Sequence, residues 1–428
     1  MMRHWPIFFL TGLLSACGGG GGGGGGSSAP TQICTELNTP QSFTSVPLSA
    51  APSSQPNSTP VIVEAYPTYG NGNFNIPYVT LQVCNGTHCV TVDHVIVDTG
   101  SYGLRVRADF PGISTLGLPS INNGSTAPIA ECSQFLSGYA WGGVYSATVK
   151  IAGEATASPI PIQLTNDPNF PNPPASCTSS GSNIGGLNGL GGNGLLGIGV
   201  LIHDTGPYYA CSTNGQNGPL NTPLNAILTN PIVSFASDNN GSILVMPSLA
   251  NYPQGEPTAS GTLYFGINTQ SNNTLNSTYS ILPTPATGGN ATFFSATLNG
   301  QTGTYPTSFL DSGSNELFIP PLQPPGTYPL NSNGDYVPQS LQTVSGTATS
   351  LSVATDTAPL SFSLLDVTAG VNAGNTAFYD MGTTNSATAG SLDLGMPYFY
   401  GHSIVNGING AQIQFNSTTY TGPFYAIH

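Results

Sequence analysis

An all-β fold is what this 428-residue sequence predicts, and three observations carry the prediction. Only 5% of the residues are charged, against roughly a quarter in an average soluble domain, while glycine and proline number 55 and 37. Helical bundles, coiled coils and α/β nucleotide enzymes use Lys, Glu, Ala and Leu far more heavily. Short apolar alternations recur, punctuated about every eight to twelve residues by Gly, Asn and Pro clusters. Helical periodicity is nowhere sustained over three turns, and the best short candidate is Pro223 to Leu228. At 38% hydrophobic, the chain can still bury a sizeable core.

The strands are read from period-two patterning, which puts alternate side chains on one face. Val61-Ile62-Val63, Val79 to Val83, Val90-Thr91-Val92 and His94 to Val97 open the series. Tyr145 to Ile151, Ser242 to Met246, Thr262 to Phe265, Ser308 to Ile319, Leu360 to Leu365 and Ala411 to Phe415 continue it. The expected units are an N-terminal β lobe over 61–268 and a C-terminal β lobe over 269–428.

Met1 to Cys17 reads as an export signal. Arg3 and His4 precede an apolar stretch from Trp5 to Leu14 that is too short to span a bilayer as a mature helix. Leu14-Ser15-Ala16-Cys17 resembles a bacterial lipobox, which implies lipidation at Cys17; a plain secretory signal is the alternative. Residues 18–60 begin with the glycine run Gly18 to Gly26 and continue Ser/Thr/Pro-rich, so they are expected to be a flexible tether. The expected protein is therefore a water-soluble monomer, lipid-anchored in a bacterial envelope, at the outer membrane or facing the periplasm.

Arg3, Arg105, Arg107 and Lys150 are the four basic residues, against eighteen acidic ones. So few cations leave no electrostatic footprint for nucleic acid, which excludes that class of partner. Such a chain also has little self-repulsion in acid, once its carboxylates are protonated.

Export bears on the cysteines. Cys34, Cys84, Cys89, Cys132, Cys177 and Cys211 are an even set in an oxidising compartment, which suggests three disulfides of open connectivity. Cys84 and Cys89 enclose Asn85-Gly86-Thr87-His88 between two strand-like runs and are expected to staple a hairpin. Cys177 and Cys211 flank the glycine-rich segment 181–199 and are read as closing it into a loop. No Cys or His spacing suits zinc, and no metal or other cofactor is expected. The histidines His88, His94, His203, His402 and His428 are scattered, no Gly-x-Ser-x-Gly elbow occurs, and the glycine-rich segment lacks the Lys of a phosphate loop.

One long-range repeat carries chemistry. His94-Val95-Ile96-Val97-Asp98-Thr99-Gly100-Ser101 continues through Tyr102 and Gly103 to Leu104. Phe309-Leu310-Asp311-Ser312-Gly313-Ser314 continues through Asn315 and Glu316 to Leu317. Each is an apolar strand, an Asp-[Ser/Thr]-Gly-Ser loop, two residues, and a Leu entering another apolar run.

This pair resembles the two active-site loops of pepsin-like aspartic peptidases, bilobal β proteins in which each lobe contributes one Asp to a cleft. The resemblance implies hydrolysis of a peptide or protein substrate by water activated between Asp98 and Asp311. It implies that Thr99 and Ser312 lock the loops together, that Ser101 and Ser314 orient the carboxylates, and that Gly100 and Gly313 allow their close approach. Leu195-Leu196-Gly197-Ile198-Gly199 and Leu392-Asp393-Leu394-Gly395 resemble the strand each lobe threads beside its Asp loop. Phe135 to Gly142, including Gly138, Tyr139 and Trp141, followed by Tyr145 to Gly153, resembles the hairpin flap over the cleft. The whole chain is similar to a family of exported bacterial lipoproteins.

The match departs from the family at four places. Phe135 stands where the flap tyrosine is expected and lacks its hydroxyl. Arg105 replaces a tryptophan, and alternation would put Arg105 and Arg107 together on the outer face of a strand; turned inward, Arg105 would lower the pKa of the pair. Asn193 stands where an Asp is common, and Asp393 interrupts an apolar pair. A catalytically silent relative that binds peptide or glycan at the cell surface is therefore the competing expectation.

Overall fold

The apolar alternations do form strands, and their partners are mostly distant in sequence. The computed structural model describes residues 32–40, 48–49, 51–66, 73–124, 127–213, 219–250, 254–286, 292–384 and 390–428, and the fold is all-β. The expected signal, Cys17 and the run Gly18 to Gly26 lie outside the described residues. No described helix is long and apolar enough to cross a membrane. Pro223 to Leu228, the best helical candidate, makes one 3-10 turn over Leu224–Ala226.

His88–Asp98 pairs antiparallel with Pro77–Asn85 across a two-residue turn, Gly86-Thr87. Gly86 has φ +60, in the left-handed region, which glycine enters without steric penalty. Cys84 and Cys89 face each other in this ladder and are joined, as the hairpin reading expected.

The first Asp loop is clasped from behind by Gly194–Ile198. That strand runs parallel to His88–Asp98 and antiparallel to Tyr102–Arg107, so it fills the space between the two arms of the loop. Gly197 must be glycine, because a Cβ there would stand 2.5 Å from the Tyr102 nitrogen. The second loop has the same plan. Asp393–Leu394 runs parallel to Tyr305–Leu310 and antiparallel to Leu317–Phe318 within a seven-stranded sheet.

Six strands link the two regions in a continuous antiparallel run: Ser58–Val63, Ala259–Phe265, Gly241–Val245, Ser403–Gly407, Phe424–Ile427 and Ser280–Pro283. Strands from the start, middle and end of the chain alternate in it. The boundary expected at residue 268 therefore falls within a sheet shared by both parts, since the last strands of the chain pair with residues 241–245.

Two further expectations are corrected. Residues 18–60 are not all tether: Ile33–Glu36 is a strand paired with Tyr208–Ser212, and Ser58–Val63 starts before residue 61. Cys177 and Cys211 do not pair with each other. Cys34 lies directly across the ladder from Cys211 and bonds it, and Cys132 bonds Cys177. Strand register chose the Cys34–Cys211 pair, bringing together cysteines 177 residues apart, and Cys177 reaches Cys132 from the short helix Ala175–Thr178.

The flap-like segment is a hairpin. Ala127–Phe135 and Gly138–Ile151 are its arms, with Phe135 opposite Gly138, so residues 138–151 are one continuous strand. Gly142 and Gly143 lie within that strand, held between two neighbours.

Candidate active site

Asp98 ends one apolar strand and Asp311 directly follows another, and at both places the next three residues turn back on the carboxyl. The Gly100 N–H donates to Asp98 Oδ1 at 2.8 Å, and the Ser101 hydroxyl donates to Asp98 Oδ2. In the second loop the Gly313 N–H donates to Asp311 Oδ1 at 2.8 Å and the Ser314 hydroxyl to Asp311 Oδ2 at 2.8 Å. These are local bonds, two and three residues long, of the kind short Asp and Ser side chains make in turns.

Four further bonds join the loops. The Thr99 N–H donates to Ser312 Oγ at 3.1 Å, and the Ser312 N–H donates to Thr99 Oγ1 at 2.9 Å. Each hydroxyl then donates beyond the opposite loop, Thr99 Oγ1 to the Leu310 carbonyl at 3.1 Å and Ser312 Oγ to the Val97 carbonyl at 2.7 Å. One hydroxyl accepting and donating at once is what makes Ser or Thr the residue type that fits here.

The bridge sets the carboxyls face to face. A Cβ added at Gly100 would stand 2.6 Å from the Asp311 carboxyl carbon, and one at Gly313 would stand 2.8 Å from that of Asp98. Each carboxyl thus lies against the other loop's glycine, and the two carboxyls are hydrogen-bonded to each other. Both aspartates are fully buried, while Gly100 and Gly313 are partly exposed.

Burial is the main force on their protonation. It raises Asp98 above the ordinary carboxylate range, opposed by the bonds from Ser101, Asp311 and Gly100. It raises Asp311 well above that range, and the negative charge of Asp98 pushes it further. Two carboxyls sharing a buried hydrogen bond cannot both ionise cheaply, so the pair holds a proton.

Residues 53–427 match the family described as Protein of unknown function (DUF3443). The chain belongs to that family. No curated protein matches it. The matched span of this DUF3443 member takes in both Asp loops and Asp393, while Cys17 and Cys34 lie before it.

Other residues expected at the site are placed elsewhere. Phe135 lies in a buried apolar cluster with Ile96 and Leu195, on the strands that carry and back the first loop. Tyr139 and Trp141 belong to the main core, where the Trp141 ring stacks edge-on against Tyr209 and its Nε1–H donates to the Phe170 carbonyl at 2.8 Å. The residues expected to form a flap over a cleft are core residues in this DUF3443 chain.

Arg105 and Arg107 are also not on an outer face, because the strand Tyr102–Arg107 is buried on both sides. Arg105 is 1% exposed and holds Glu131, Asp204 Oδ2 at 3.2 Å, Ser133 Oγ at 2.6 Å and the Tyr102 carbonyl at 2.9 Å. Its charge lowers Asp98 only as the smallest of several effects. Burial raises its partner Glu131 to about 8. Arg107 pairs with Asp109 at 2.9 Å and donates to Asn193 Oδ1 at 3.1 Å.

Asp393 is the site residue that sequence reasoning underread. It is fully buried, and its Oδ2 lies 2.7 Å from Ser314 Oγ, the hydroxyl that also serves Asp311. Its signal in the sequence was an acid inside an apolar strand beside the second loop. Among the described residues, no group of three or more His, Cys, Asp or Glu side chains is placed to hold a metal ion.

Proposed function

We propose that this chain is an aspartic endopeptidase of bilobal, pepsin-like plan, exported and lipid-anchored in the envelope through Cys17. The hydrogen-bonded Asp98–Asp311 pair, set by two reciprocal loops, carries the reading. A binding module has no need of two facing buried carboxyls, each of which costs free energy to bury.

In the proposed reaction Asp98 is the ionised member, since its serine bond is given to it alone, whereas Ser314 of the other loop is shared between Asp311 and Asp393. It removes a proton from a water positioned between the carboxyls, and that water attacks the scissile carbonyl. Asp311, the protonated member, donates to the developing oxyanion, giving a gem-diol. Asp98 then passes its proton to the leaving amine as the C–N bond breaks, a gem-diol hydroxyl returns a proton to Asp311 as the carbonyl re-forms, and the pair regains its starting protonation. The partly exposed glycines mark the side from which a peptide reaches the pair.

The test is digestion of a diverse peptide mixture by the purified chain, from acid to neutral pH, read by mass spectrometry. Asp98→Asn and Asp311→Asn proteins run in parallel. Cleavage by the parent that both variants lose supports the reading; cleavage that survives both overturns it. The burial of Phe135, Tyr139 and Trp141 favours a second reading, a catalytically silent relative that binds peptide or glycan. Silence from a folded parent across that range selects it.

A further inference from the structure

The second Asp loop has an acidic partner. Ser314 Oγ lies 2.8 Å from Asp311 Oδ2 and 2.7 Å from Asp393 Oδ2. A serine hydroxyl has one hydrogen, so it can donate to one of these oxygens and must accept from the other. With both carboxyls ionised, one of the two contacts would have no proton in it. The chain Asp393–Ser314–Asp311 therefore holds at least one carboxyl proton.

Its resting place follows from the surroundings. Asp393 is flanked by Phe309 and Phe318 on the neighbouring strands, and its Oδ1 is buried with no hydrogen-bond partner. Ionised, it would leave a charged oxygen bare in the interior, which is the costlier state. Asp98 and Asp311 are the charged groups it faces. Arg105 is held by Glu131 and Asp204, Arg107 by Asp109, and Lys150 is exposed on another strand. Burial accordingly pushes Asp393 well above the usual carboxylate range, opposed by the bond from Ser314 and aided by the charge of Asp98.

Building on the peptidase reading, we propose that Asp393 is a positioning residue that keeps a proton in reserve for Asp311 and passes it through Ser314 Oγ. When Asp311 has given its proton to the substrate oxygen, the Asp393 O–H bond breaks and its proton joins Ser314 Oγ. The serine's own proton moves to Asp311 Oδ2 in the same step. One carboxylate becomes an acid, one acid becomes a carboxylate, and nothing else is consumed. The step reverses when the pair recovers its proton.

Infrared difference spectroscopy of the full chain near neutral pH tests this, with peptide kinetics alongside. Asp393→Asn is the main variant, because its amide still donates to Ser314 but gives up no proton. Its spectrum is expected to lack one protonated-carboxyl band of the parent, with kcat down about tenfold or more and KM unchanged. Retention of the whole protonated-carboxyl signal overturns the proposal, and so does an unchanged kcat. Should Asp393→Asn fail to fold, Ser314→Ala decides: the Asp393 band shifts as the acid loses its acceptor, and an unshifted band overturns the proposal. A parent that cleaves no peptide removes the peptidase reading and the reserve role with it, whereas the infrared band by itself reports whether Asp393 holds a proton.

Discussion

The two Asp loops have the same internal hydrogen bonds and different backing. Leu195 lies opposite Ile96 behind the first loop, and Asp393 lies opposite Phe309 on the equivalent rung behind the second. Leu195 packs into an apolar cluster with Ile96 and Phe135. Asp393 instead reaches Ser314. The loops set where the two carboxyls meet, and the residue behind each loop decides how tightly its carboxyl holds a proton. Asp311 shares its serine with Asp393, and burial and the charge of Asp98 raise it well above the carboxylate range; the effects opposing burial at Asp98 are hydrogen bonds and the distant Arg105.

The largest effects test the symmetric part of this comparison. Asp98→Asn and Asp311→Asn are each expected to lower kcat/KM by about a thousandfold or more while leaving the fold intact by circular dichroism. A variant retaining a tenth of parent activity would show that the carboxyls do not act as a pair. Gly100→Ala and Gly313→Ala come next, each driving a methyl group into the facing carboxyl. Both should cost about a hundredfold in kcat/KM, since misplacement of reacting groups by about 1 Å has that effect. A fall in only one would mean that the loops do not approach each other reciprocally.

Ser312→Ala leaves the Thr99 N–H and the Val97 carbonyl without their partner. Two buried bonds of this kind are worth about 2–3 kcal/mol together, measured as a shift in the urea unfolding midpoint. A shift under about 0.5 kcal/mol would mean that the bridge does not hold the loops.

The smallest effect addresses the asymmetry. Asp393 binds its proton more tightly folded than unfolded, because burial raises it. Its contribution to stability is therefore full below about pH 4, where the unfolded carboxyl is also protonated, and declines as pH rises toward the folded value. Asp393→Leu, which makes the second loop's backing like the first, should flatten that decline by up to about 1.4 kcal/mol per pH unit. Parallel stability curves for parent and variant would show that Asp393 titrates like an ordinary acid.

Much of this was legible in the residues. The strands around both loops, the Cys84–Cys89 hairpin and the eight loop residues stand where alternation, turn chemistry and the repeated Asp-[Ser/Thr]-Gly-Ser pattern put them. The errors share a cause. Arg105 was assigned to an outer face from alternation along its own strand, but all six residues of that strand are buried, and the face carrying Arg105 is covered by Glu131, Ser133 and Asp204 from elsewhere in the chain. The tether reading of residues 33–36 and the Cys177–Cys211 pairing failed in the same way, because both depended on which distant strand would lie alongside.

What the sequence determined by itself was local: period-two strands, tight turns, and side-chain oxygens placed two or three residues from the carboxyls they serve. Those features need only adjacent residues, whose geometry the backbone limits to a few conformations. The meeting of Asp98 with Asp311, the pairing of Cys34 with Cys211, the burial of Arg105 against Glu131 and the contact of Asp393 with Ser314 were decided only by the tertiary structure. Each depends on register between strands far apart in the chain, and register is settled by burying the whole apolar set at once.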